Sequence, residues 1–230
     1  MERHLQRLTW KNIQQLVPGK IDTILFPVGT VEAHGAAALG TDNYIPESIA
    51  EYLADKIDAL IAPTVNYGIT KSLYGYPGSL TVNPDSLKNY VADILKSFHD
   101  TGFKKVLLLN GHGGNNSVLK DVAHSFFNTC RVKIAVIHWW ELCGELSREF
   151  FGEQGGHAAL DEAAMVQAID ESLVDKSLYE KDMAYYYRPG ADIYPVPGTI
   201  LLYKEGEGYP DYDPEKARRL QSKILSLIHI

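Results

Sequence analysis

The chain is poor in cysteine, in clustered positive charge and in long apolar runs, and each shortage removes a class of protein. Cys130 and Cys143 are the only cysteines in 230 residues. They cannot build a disulfide framework, and no CxxC pair is present to hold a thiolate zinc or to run redox exchange. Both read as buried small hydrophobes in a reducing compartment. Lys and Arg number 22 against 29 Asp and Glu, for a net charge of -7. With no basic run, nucleic acid is excluded as the main partner, because phosphate binding draws its affinity from clustered cations. No apolar stretch approaches the ~20 residues that span a bilayer. The opening MERHLQRLTWKNIQQ lacks the apolar stretch of a secretory signal, so the expected location is cytoplasmic, away from membranes.

Other absences are specific to chemistry. There is no GxSxG elbow and no GxxxxGK[ST] phosphate loop. Gly111-His112-Gly113-Gly114-Asn115-Asn116 has the first two glycines of a dinucleotide fingerprint but asparagine in place of the third. Ser79 and Ser117 read as turn and cap residues. Internal repeats and low-complexity tracts are also missing, which excludes a solenoid.

What remains is ordinary globular composition, 45% hydrophobic and 22% charged, expected to form a single domain over residues 1–230. Thr9 caps a short helix through Val17, stopped by Pro18-Gly19, and Ile21–Val28 reads as a strand. Asn43–Ala59 carries Ile45, Ile49, Leu53 and Ile57 on one helical face, and Leu60–Val65 follows as a strand. Asn83-Pro84 opens a helix that Gly102 closes, with Leu87, Val91, Ile94, Leu95 and Phe98 as its stripe. Strands over Lys105–Leu109 and Val132–Ile137 flank a helix from Asn115 or Asn116 to about Thr129. This alternation, with nearly continuous apolar strands, predicts an α/β fold. Its form is three-layer α/β/α, a mostly parallel sheet flanked by helices. Tyr185–Pro210, rich in Tyr, Pro and Gly, reads as an ordered loop region, and Pro214–Ile228 as a closing helix.

Open parallel sheets bind ligands beyond the carboxyl ends of their strands, and three segments there are unusual. Gly29 to Gly35 holds Glu32 and His34, two apart and so on one face of an extended segment, with Asp42 shortly after. His112 follows the next strand end, and His157 and Glu162 open a later helix. Carboxylates and imidazoles converging this way suit Zn2+ or Mn2+, and two ions fit if Asp42 bridges them. His4, His99, His124 and His229 read as solvated or structural, and His138, beside Trp139, Trp140 and Glu141, as ambiguous.

Together PVGTVEAHG, LGTD, YPGSLTV, LNGHGGN and HAALDEA resemble, in order, the motifs of the creatininase family, from about Phe26 to Glu162 and more weakly to Pro197-Gly198-Thr199. The resemblance implies a cytoplasmic hydrolase of cyclic or linear amides, a homohexamer with two divalent ions per subunit, zinc or possibly manganese or iron in kind. It assigns Glu32, His34, Asp42, His112 and Glu162 as metal ligands, Asp42 lying between the ions. It also assigns His157 and Glu162 as proton-moving groups and Trp140, with Gly113, Gly114 and Asn115, to the substrate. The implied chemistry is attack of metal-bound hydroxide on the amide carbonyl. Creatininase proper carries a glutamate ligand where this chain has Gly114, so the second ion must find another ligand or bind weakly. GHGGN is instead similar to the branch with formamide deformylases and the mycofactocin precursor peptidase. A different class of reading is a non-catalytic module binding a small metabolite or nucleotide in the same crevice. A third is an oligomeric scaffold, resting on Tyr185, Tyr186 and Tyr187.

Overall fold

The computed structural model describes residues 1–179 and 208–228 in full, and the backbone of two short strands between them. Helix α1 (Trp10–Leu16) begins at the expected cap: the Thr9 hydroxyl accepts the Asn12 N–H, and the Asn12 side chain accepts the Thr9 N–H in return. Strand β1 (Thr23–Val28) is buried along its whole length. Helix α2 (Thr41–Ala54) and strand β2 (Ala59–Ile61) follow. Helix α3 (Pro84–Thr101) starts where the Asn83 side chain accepts the Asp85 N–H, with Pro84 pre-set for the first turn, and stops at Gly102, whose φ is 111°. Strand β3 (Lys105–Asn110), helix α4 (Asn116–Cys130) and strand β4 (Lys133–His138) complete the regular alternation.

The four strands form one parallel sheet in the order β2-β1-β3-β4. Val28 is paired with Asn110, and Asn110 with His138, so β1, β3 and β4 end level with one another. Alternation along the strands sends Ile24, Phe26, Val106 and Leu108 into one core, with Leu87, Val91 and Leu95 of α3 and Leu119 and Val122 of α4. Leu25 and Leu109 enter a second core on the other face, against Ile45 and Ile49 of α2 and Leu220 and Ile224 of helix α8 (Pro214–Ile228). A sheet covered on both faces by helices is the three-layer architecture the sequence pattern predicts.

Three expectations need correction. The helix expected to reach Ala59 ends at Ala54, and the strand expected over Leu60–Val65 is Ala59–Ile61. Ile57 continues the helical spacing but lies in a reversal completed by Asp58 at φ 49°. Pro63 has no N–H to give the ladder, and beyond it only Val65 bridges back, to Val28. Second, the tract expected as loop contains strands β5 (Ala184–Tyr187) and β6 (Leu201–Lys204), paired in parallel. The side chains of Tyr185, Tyr186 and Tyr187, the Pro197-Gly198-Thr199 segment and His229 lie outside the described residues. Third, Cys143 is buried as expected but Cys130 is only half-buried; both thiols are free. Helices α5 (Trp139–Leu142), α6 (Gly144–Phe151) and α7 (Leu160–Ile169) carry the chain from β4 back across the sheet. Among the described residues no helix is long and apolar enough to cross a membrane.

Candidate metal centre

The level ends of β1 and β3 set the site. Glu32 and His34 stand on the loop leaving β1, Asp42 on the first turn of α2, His112 two residues past β3, and Glu162 on the first turn of α7. Both helical carboxylates therefore sit at a helix N-terminus, where the backbone dipole favours negative charge. All five are buried, from Asp42 at 1% exposed to His112 at 9%.

Asp42 joins the two imidazoles. Its Oδ1 is 3.0 Å from His34 Nε2 and its Oδ2 is 2.9 Å from His112 Nδ1. Glu162 Oε2 approaches His34 Nε2 to 3.6 Å, and Glu32 Oε1 approaches His112 Nδ1 to 3.3 Å. Ligand-capable atoms within 4.8 Å of one another thus fall into a set of His34, Asp42 and Glu162 and a set of Glu32, Asp42 and His112. Asp42 is common to both. A third set, Glu32, His34 and His157, overlaps them, so His157 stands closer to ligand geometry than the sequence suggests.

Contacts on the far side of each ring settle which nitrogen faces the cluster. His34 Nδ1 is 2.9 Å from the Glu32 carbonyl, and His112 Nε2 is 2.9 Å from the Ile69 carbonyl. A carbonyl only accepts, so those nitrogens carry protons throughout, and the opposite ones face the cluster, where they offer lone pairs once an ion displaces their protons, the arrangement metal-bound histidines use. His157 likewise gives Nε2 to the Ala33 carbonyl at 3.0 Å and turns Nδ1 toward Glu32 Oε1 at 3.5 Å.

His34 Nε2 and Asp42 Oδ2 are fully buried yet make no aligned hydrogen bond, despite their near neighbours. Lone pairs that converge without bonding to one another are what a donor set around a divalent ion requires. The residues present therefore fit the metal.

Without an ion, the cluster must share protons. Burial works against the His34 imidazolium, but Asp42, Glu162 and Glu32 outweigh it and push the pKa up to about 10. His112 is pushed up to about 9 in the same way, with burial opposing and Glu32 and Asp42 prevailing. Burial also opposes the Asp42 carboxylate, yet the two imidazoles hold it well below the usual range. Burial raises Glu32, and raises Glu162 well above the ordinary carboxyl value. His157, buried and beside His34 and His112, is lowered to about 3.

The glycines show why the loops meet so closely. A Cβ at Gly114 would lie 2.1 Å from the Ile69 carbonyl oxygen and 2.4 Å from His112 Nε2. No side chain fits there, and the carboxylate near His34 comes instead from Glu162 on α7. Trp140 borders the same turn, its ring edge 4.0 Å from the Cβ position of Gly113. Asn115, expected on the substrate side, has its amide engaged elsewhere. Its Oδ1 accepts the Ile69 N–H at 3.0 Å and its Nδ2 donates to the Gly29 carbonyl at 3.1 Å, tying the β1 loop to the segment that holds His112. Ser79 accepts the Ala33 N–H at 3.0 Å, while Ser117 is not a cap but the second residue of α4. His4, His99 and His124 contact Glu51, Asp100 and Asn128, away from the cluster.

The family model for creatininase, described as creatinine amidohydrolase, matches residues 6–219. The chain belongs to the creatininase family. Creatinine amidohydrolase of Pseudomonas putida is 25% identical over 224 residues, 86% of this chain and 85% of that protein. The 3-dehydro-scyllo-inosose hydrolase of Thermotoga maritima is 31% identical over 137 residues, 59% of this chain; the match spans only 43% of that relative's own length. In solved structures the fold recurs in a mutant creatininase of Zn-Zn type, with a TM-score of 0.83 at 22% identity over 100% of this chain and 96% of that one. A manganese creatininase superposes with a TM-score of 0.83 at 21% identity over the same shares of the two chains.

Proposed function

We propose that this creatininase-family chain is a metal-dependent hydrolase of a small cyclic or linear amide, carrying two divalent ions, zinc or manganese, per subunit. The observation that carries the reading is Asp42, whose two carboxylate oxygens reach His34 and His112 from between two ligand sets. Glu32, Asp42 and His112 would hold one ion, and His34, Asp42 and Glu162 the other. Bound there, divalent ions supply Lewis acidity toward an amide carbonyl and bring a coordinated water's pKa near 7.

The chain's own residues do the rest. His157 is anchored through Nε2 to the Ala33 carbonyl, so the unprotonated Nδ1 is the atom that would take a proton from the attacking water and pass it to the leaving nitrogen. Glu162 accepts the Ala158 N–H at 2.7 Å, which fixes one oxygen and ties the α7 turn carrying His157 to the cluster. Trp140 and Gly113 wall the substrate side, Gly114 being packed directly against the Ile69 carbonyl and the His112 ring. The absence of a side chain at Gly114 favours the formamide and peptide branch over creatinine as the source of substrate. The two free cysteines fit a reducing, cytoplasmic location, and the homohexamer is carried over from the family resemblance alone.

Metal analysis and turnover test this together. Protein purified without chelator is expected to hold about two ions per chain by elemental mass spectrometry. It should hydrolyse members of an amide and formamide panel, and chelation should abolish turnover. Protein that takes up no zinc or manganese would overturn the proposal.

A further inference from the structure

His138 belongs to none of the ligand sets, yet it ends β4 level with Asn110 at the end of β3, the two residues being paired in the sheet. Paired residues of neighbouring parallel strands project to the same face. Asn110 is fully buried and His138 is 7% exposed. Between them runs a single hydrogen-bonded unit. Asn110 Oδ1 accepts the His112 N–H at 3.1 Å, and Asn110 Nδ2 donates toward the His112 carbonyl at 2.9 Å. The same Nδ2 faces His138 Nδ1 at 2.9 Å and Asn116 Oδ1 at 2.8 Å.

The Asn110 amide therefore grips both backbone polar groups of His112, and it does so in only one orientation. Turned over, it would set oxygen against the His112 carbonyl and a donor against the His112 N–H. With its proton on Nε2, His138 presents an Nδ1 lone pair that shares the two Nδ2 hydrogens with the His112 carbonyl and Asn116 Oδ1 and would repel the amide oxygen, so it favours the amide the right way round. His112 depends on this grip because its ring is boxed in by the Ile69 carbonyl and by the closeness of Gly114. A ring without room to turn follows its backbone, and a backbone shift moves Nδ1 away from Asp42 and Glu32.

We infer that His138 is a positioning residue for His112, acting through the side chain of Asn110. The inference rests on the reading that His112 holds metal, and its test uses the metals alone. Zinc affinity of the full chain is measured by chelator competition, and the cobalt-substituted protein is followed by its visible spectrum.

His138→Leu, which removes the acceptor, should weaken zinc binding about 10- to 100-fold and shift the cobalt bands. His138→Asn, whose amide oxygen replaces Nδ1 as acceptor, should recover affinity to within about threefold of the wild type. Asn110→Ala should match His138→Leu, and the double variant should be no worse than either, as expected of two residues acting in series. A merely structural role would lower the melting temperature of the metal-free variants while leaving the cobalt spectrum unchanged, and that result would overturn the inference. So would additive losses, or an Asn variant no better than Leu. If the wild type takes up no metal, or His112→Ala binds it as tightly as the wild type, the ligand reading itself fails and the inference goes with it.

Discussion

Gly114 and His112 are in such close contact that the second residue's ring occupies the space a side chain on the first would need: a Cβ at 114 would lie 2.4 Å from His112 Nε2. The glycine is thus part of how the histidine is held.

Gly114→Ala should therefore cost stability through overpacking, about 1–3 kcal/mol, and loosen metal binding. Gly114→Glu, which adds a carboxylate at this position, should lose metal rather than gain a ligand. Thermal melting and zinc stoichiometry check both; a Glu variant with unchanged melting and tighter zinc would show that the loop has room after all.

Asp42→Ala should empty both sites at once, since Asp42 is common to both ligand sets, and hydrolysis should disappear with the metal. His157→Ala should keep both ions and lose about 10²- to 10⁴-fold in kcat. Elemental analysis beside kcat separates the two cases. Full activity in metal-free Asp42→Ala protein would refute the scheme.

Metal binding should release protons. In the metal-free protein His34 is pushed up to about 10 and His112 to about 9, so both are charged at pH 7 and an ion must displace their protons. Zinc affinity should climb from about pH 6 to about pH 10, with about two protons released from the imidazoles per loaded chain. Calorimetry in buffers of different ionisation enthalpy reads the number. A pH-independent affinity would mean that the imidazoles are already neutral.

The same shifts set the metal-free protein's stability. Raised histidine values contribute stability that is complete below the unfolded value, near 6.5. It fades as the pH passes through about 9 for His112 and about 10 for His34. The lowered Asp42 acts in the opposite direction, its contribution being present above the unfolded value near 3.8 and lost on acidification. Metal-free protein should therefore melt progressively earlier as the pH rises from about 6.5 to about 10, and loaded protein should not; parallel melting curves for the two forms would contradict this.

Asn115→Ala should destabilise the fold and weaken metal binding together. It leaves the Ile69 N–H and the Gly29 carbonyl without their partners, at about 1–3 kcal/mol for each buried group. The Ile69 carbonyl that orients His112 is on the loosened segment. Unchanged zinc affinity in a destabilised variant would separate the clamp from the site.

Local rules were enough to read α3 from the sequence, because Asn83, Pro84 and Gly102 act on their own neighbours in the chain. They also placed β1, β3 and β4, whose apolar runs are of strand length, β1 buried throughout and β4 only in part. They failed at Ile57, where apolar spacing continued past the point at which the chain reverses, and at Pro63, where a missing N–H ended a ladder that composition would have extended. The ligand candidates were legible because carboxylates and imidazoles are rare beside glycine at strand ends, and the family motifs named them in order.

Sequence alone thus determined which side chains could meet an ion and which strands would carry them, since residue type and short spacing are local properties. Tertiary structure decided how they meet. Asp42 stands between two imidazoles, Asn115 clamps backbone with both ends of its amide, and His138 reaches His112 through Asn110. Each of these depends on the packing of segments distant in sequence, and on which way a buried ring or amide turns its polar atoms once neighbours have excluded water.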